Sequence, residues 1–206
     1  MKKIVFVSVA MVINGVCAWN SVSEMERDFC AALTNSEYLL SAAFTNQLSS
    51  ATNLLTEASR CEVFMLSAIR AAQSFEETAD EHWTHEEMRQ ASNAVVAIGM
   101  QTDKWQYWLS RLVYAGACAS QSNYEGSFRV MTNSLNEIAL SGFTNNVSPV
   151  GQLLLKKYEM PNIDVREAMK VMAGMSAAVT GNGSVATNYA NQVPVPYKNT
   201  ILEFIK

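Results

Sequence analysis

The only two histidines stand together in Asp80-Glu81-His82-Trp83-Thr84-His85-Glu86-Glu87. Imidazoles and carboxylates at that density suit zinc or another divalent ion, with His82, His85 and Glu86 as candidate metal ligands. A helical metal site prefers histidines at i, i+4, as in His-Glu-x-x-His. Here they stand at i, i+3 across a helix start, and no distant third ligand is identifiable. The competing reading is a charged first turn, in which Glu86 and Glu87 complement the helix dipole.

Cys30, Cys61 and Cys118 offer a second kind of chemistry. In an exported chain they could form one disulfide with one free thiol, or remain an unpaired buried set. The sequence does not choose among the pairings. All three stand inside expected helices, flanked by Ala or other small residues, where Cys behaves as a small hydrophobe. No neighbour visibly activates one thiol as a nucleophile. There is no Gly-x-Ser-x-Gly, no phosphate loop, no dinucleotide fingerprint and no Cys-x-x-Cys-His for covalent haem. No cofactor is expected, and no catalytic residue is assigned.

The third constellation is aromatic. Trp105 and Trp108 belong to an apolar stripe, while Tyr107, Arg111 and Tyr114 recur at i, i+4, i+7 on another face. Tyr with Arg is typical of interface anchors, so these three are the candidate partner-binding residues. The alternative is packing against the preceding hairpin, the fate of most helical aromatics.

These groups need elements to hold them. Low Pro and Gly, with abundant Ala, Leu, Met, Ser and Glu, favour helix. No alternating Val/Ile/Thr run with turn signals follows the N-terminal segment. The expected class is all-α, as antiparallel helical hairpins in a right-handed stack or an irregular bundle. Hydroxyl-x-x-Glu capping boxes at Ser23, Thr34, Ser59 and Thr84 predict helices near 23–33, 36–56, 60–75 and 85–100. Glu76 to Glu81 reads as a solvated acidic link. Asp103–Ser120 and Tyr124–Leu140 follow as a central hairpin, and Gly142 ends it. Pro149 after Ser148 opens a short helix that Pro161 stops. Asp164-x-x-Glu167 caps a further helix, ended by Gly181-Asn182-Gly183-Ser184. From about 181 the chain reads as an extended tail closed by a short apolar turn, Ile201 to Ile205. Six Thr-Asn pairs are scattered along the chain without evident purpose.

The central hairpin, residues 103–140, resembles a tetratricopeptide unit, two helices in roughly 34 residues. Asn123-Tyr124-Glu125 matches the turn that opens that family's second helix. Ala115, Ser127 and Ser134 supply small side chains where the helices cross. Met131 stands at a usually larger apolar position, Arg111 replaces the early Trp, Ala115 replaces the Gly, and no Pro closes the unit near Ala139. The resemblance implies stacked helix pairs presenting a concave face to a peptide or protein. Helix starts expected at 85, 123–124 and 164 lie about 40 residues apart, compatible with such a period.

Met1-Lys2-Lys3, the apolar run Ile4–Val16 and small residues before Trp19 read as a secretory signal peptide over 1–18. Its apolar run is shorter than the ~20 residues a spanning helix needs. The remainder is a single expected helical domain, exported to a periplasm or the exterior, with no membrane span after cleavage. Net charge is −4 for the chain, and no Lys/Arg cluster lies along one face, which excludes nucleic acid as partner. The expected function is an exported, non-catalytic interaction or scaffold module that binds a protein or peptide. The alternatives are a small metal-binding or hydrolytic protein built on His82 and His85, and a structural envelope component.

Overall fold

The computed structural model describes residues 19, 21–51, 55–160 and 163–205, without the side chains of 50 and 51. The expected signal peptide lies outside the described residues, as does Pro161. Among the described residues there are eleven α-helices and no strand, so the class is all-α. In order they are α1 (Val22–Thr34), α2 (Ser36–Leu40), α3 (Ala42–Ala51), α4 (Glu57–Thr78), α5 (His82–Ile98), α6 (Trp105–Ser120), α7 (Tyr124–Leu140), α8 (Pro149–Lys157), α9 (Val165–Val179), α10 (Gly183–Ala190) and α11 (Val195–Glu203).

Three hairpins dominate: α4–α5, α6–α7 and α9–α10. The first helices of the hairpins, α4, α6 and α9, lie side by side, and each second helix packs against the first helix of the next hairpin. The stripe read in the sequence explains α6: Trp105, Trp108, Leu109, Leu112, Ala115 and Gly116 are all buried. Small residues set the close approaches. Ser176 on α9 donates to Ser127 Oγ on α7 at 3.0 Å, wholly buried. A Cβ on Gly174 would meet Ile201 Cδ1 at 2.8 Å, so this glycine lets α11 lie against α9.

The stack is interrupted by α8, which lies on the outer side of α6. Gly151 sits against Trp105 and Leu109, and Gly116 of α6 against the Tyr158 ring that follows α8. α1 in turn packs on α8, and Lys157 Nζ and Gln73 Nε2 each reach Ser36 Oγ at 3.5 Å. Trp19, Phe29 and Phe44 form an edge-to-face aromatic group beneath α1 to α3. The expected 40-residue period therefore mixes unlike helices: α5 and α7 close hairpins, whereas α9 opens one.

Several helix starts differ from expectation. The side chains that cap are Ser21, Asn35 and Thr56, each accepting from a backbone N–H two or three residues on. Thr84 lies inside α5 and donates to the Glu81 carbonyl. Ser41 breaks the expected 36–56 helix, its hydroxyl accepting from Phe44 N to start α3. Residues 183–190 and 195–203 are helical rather than extended: Pro196 sits in the first turn of α11, where a missing N–H costs nothing. Asp164 does form the reciprocal box with Glu167, and Asn123 and Ser148 cap α7 and α8. Gly142 and Gly181 adopt the positive φ, 67° and 80°, that ends α7 and α9. In four of the Thr-Asn pairs the Thr hydroxyl donates back to the carbonyl four residues earlier, at Thr34, Thr45, Thr132 and Thr187.

Candidate functional site

His82 and His85 lie exposed in the first turns of α5. The Asp80 carboxylate accepts from His82 N at 2.9 Å, so it acts as a turn cap. Glu86 is committed elsewhere. Arg89 grips it through Nε at 2.8 Å and Nη2 at 2.6 Å, and Gln90 Nε2 adds a third donor at 2.7 Å. Those bonds, Arg89 first, hold its carboxyl below the usual range. Among the described residues no three His, Cys, Asp or Glu side chains converge on a metal-sized site.

Tyr107, Arg111 and Tyr114 do not make one open face. Tyr107 is fully buried, and its hydroxyl donates to Glu137 Oε2 on α7 at 2.8 Å. The Arg111 guanidinium stacks 3.5 Å from the centre of the Tyr107 ring, and its Nη1 donates to the Tyr107 carbonyl. Tyr114 is half-buried against the main core. Tyr107 ties α6 to α7 and Arg111 packs on its ring, so the contact is made inside the hairpin and not with the preceding hairpin that the sequence offered as the alternative.

Cys30, Cys61 and Cys118 are free thiols. Desolvation pushes the thiol of Cys61 strongly upward, and the neighbouring Glu62 carboxylate adds to it, so this is no activated nucleophile. Beside it lies the least comfortable group in the molecule. Glu62 is 5% exposed, its Oε1 accepts from Gln106 Nε2 at 2.6 Å, and Oε2 has no partner. Gln106 Oε1 is likewise buried without a partner. Burial pushes the Glu62 carboxyl from 4.5 to about 7, against the Gln106 bond that lowers it. Glu87, 3% exposed between α5 and α6, is raised to about 7 in the same way, with only Ser120 Oγ donating to it. The two acids have different partners, Gln106 for Glu62 and Ser120 for Glu87, and no bond joins them into an acid/base pair.

An opening that can admit another molecule lies between α7 and α10, floored by α9. It is a groove of about 590 Å³, open to solvent. Leu135 and Ile138 of α7 face Val185 and Tyr189 of α10 across it, and Arg166 and Lys170 rise from α9. Arg166 is oriented by a bond from Nη2 to the Phe143 carbonyl at 2.9 Å. Lys170 makes no hydrogen bond or ion pair among the described residues.

No family model, curated protein or solved structure matches the chain. Function must be read from this geometry alone. The groove escaped sequence reasoning because α10 was taken as extended tail. Its signal was present: Val185 and Tyr189 stand at i, i+4, as do Arg166 and Lys170, and each pair therefore shares a helix face. Among the described residues no helix is long and apolar enough to cross a membrane.

Proposed function

We propose that this chain is an exported, non-catalytic helical-repeat module of tetratricopeptide type that docks a segment of a partner protein. The docking surface is the groove between α7, α9 and α10. The single observation that carries this is an open groove with partly exposed apolar side chains on both walls, Leu135 opposite Val185 and Tyr189, set among polar ones. The succession of hairpins with α4, α6 and α9 side by side supports the repeat reading. The interposed α8 makes the array irregular.

A photoreactive residue at Asn188, on the groove rim, tests the docking. It should give a discrete adduct that Ala139→Trp, which plugs the groove from α7, abolishes, while a probe at exposed Asn199 on α11 gives none. Equal labelling from both probes, or labelling indifferent to the plug, would remove the assignment. Export is tested separately by the N-terminal residue of the mature chain. Trp19 is expected, and an intact Met1 in a cytosolic fraction would refute it.

A further inference from the structure

We infer that the groove selects an acidic segment, one that sets two or three apolar side chains between α7 and α10 and carboxylates over α9. This rests on reading the groove as a docking site and adds the chemistry of the occupant. The chain as a whole carries 19 acidic residues against 15 basic. No Asp or Glu lines this groove, while two cations do. They are Arg166 and Lys170, one turn apart on the same helix, so both charges rise on one side of the floor.

Neither cation is neutralised from within. Arg166 spends one N–H on the Phe143 carbonyl, a neutral acceptor that fixes the guanidinium without cancelling its charge. Lys170 Nζ has no partner among the described residues. The ion pairs found among the described residues are all local, Arg27 with Glu24 and Asp28, Arg89 with Glu86, and Lys104 with Asp103, and none of them reaches this groove. A pair left uncompensated beside an apolar channel is matched by an occupant that brings carboxylates of its own. The fork of Arg166 suits a carboxylate bidentately, and Lys170 suits a second one as a point charge.

The shape separates a peptide from a small amphiphile. Pockets that take small molecules enclose most of the ligand, at ~300–1,000 Å³. This groove has a fitting volume but lies open along its length, with the amides of Asn188 and Gln192 on its rim. A fatty acid would leave its tail against water there. A helical or extended segment would cover the channel with its own backbone and present alternate side chains inward.

The test uses the full mature chain and three synthetic peptides with the same leucine spacing, flanked by Glu, Gln or Lys. Binding is followed by heteronuclear NMR shift mapping up to millimolar peptide. The Glu peptide should bind at least about tenfold tighter than the Gln peptide, with shifts centred on α7, α9 and α10, and should weaken with added salt. Arg166→Glu with Lys170→Glu should reverse the order and favour the Lys peptide. Equal affinity for all three peptides, or an order unchanged by charge reversal, would overturn the charge selection. Saturation by sodium laurate with no response to any peptide would overturn it in favour of an amphiphile. Ala139→Trp distinguishes the two layers. If it abolishes binding of three peptides that bind equally, docking stands and charge selection falls. If it changes nothing, the docking site itself is misassigned.

Discussion

Glu62 should be a carboxylic acid, not a carboxylate, in the folded protein at mildly acidic pH. Two orphaned acceptors meet here, Glu62 Oε2 and Gln106 Oε1, while Gln106 Nε2 already donates to Glu62 Oε1. An acid paired to an amide in this way brings the second carboxyl oxygen beside the amide oxygen, and one proton between them satisfies both. The surroundings agree: the charged groups acting on Glu62 and its neighbouring thiols Cys30 and Cys61 are Glu26 on α1, which opposes ionisation, and Arg111 on α6, which acts on Cys61. A carboxyl raised from 4.5 to about 7 is worth about 3 kcal/mol at full ionisation, at ~1.36 kcal/mol per pKa unit. The sign follows from proton counting. Between 4.5 and 7 the unfolded chain has released this proton and the folded chain has kept it, so stability falls as pH rises through that window and levels off above about 7. Glu62→Gln supplies the missing donor permanently. Urea unfolding at steps from about pH 5 to about pH 8 should show wild type losing up to ~3 kcal/mol more than the variant over that range. Parallel stability curves for the two proteins would refute the acid–amide pair.

Glu87→Gln should flatten the same pH window independently, since Glu87 is also raised to about 7 and bonds to Ser120 rather than to Gln106; additivity with Glu62→Gln in denaturant melts checks it. Gly116→Ala sets a Cβ 2.9 Å from Tyr158 Cε1 and should cost about 1–3 kcal/mol by forcing α8 off α6, measured by thermal unfolding. Ser176→Ala should cost about 1–2 kcal/mol by orphaning buried Ser127, and adding Ser127→Ala should recover part of that loss in a double-mutant cycle. Thiol titration of the native protein should modify half-buried Cys30 first, with Cys61 and Cys118 reacting only on unfolding; a total of one reactive thiol in denaturant would instead mean a disulfide.

The helical class was legible because the apolar spacing of 105–119 and 165–179 admits no strand, and most of both stretches is buried, with Val179 left exposed at the end of α9. The Asp164 box, the Asn123 and Ser148 caps, and the Gly142 and Gly181 stops were legible too, each being a residue with one physical use at that place. The caps expected at Ser23, Thr34, Ser59 and Thr84 were misplaced for the opposite reason, although the helix start expected at 36 is where α2 begins. Ser21, Asn35 and Thr56 offer equivalent oxygens within three residues, and tertiary packing selects between registers of nearly equal local energy. The site was less legible than the fold. Tyr107 and Arg111 share a helix face, but periodicity does not say whether the next helix covers that face, and α7 does so through Glu137. Reading 181–206 as a tail hid α10, one whole wall of the groove, since Asn182-Gly183 resembles a turn and carries no capping hydrogen bond.

The resting place of α1 on α8 has a bearing on how the chain comes together in time. The aromatic group of Trp19, Phe29 and Phe44 can gather as soon as the chain extends past Phe44. The α1 surface that packs on α8 must wait for residues 149–157, and the bond from Lys157 to Ser36 of α2 likewise spans 121 positions. Closing so long a loop is slow compared with zipping up α4–α5 or α6–α7 from neighbours. α1 is thus among the later helices to settle, and on a nascent or threading chain the face it turns to α8 stays bare until α8 arrives.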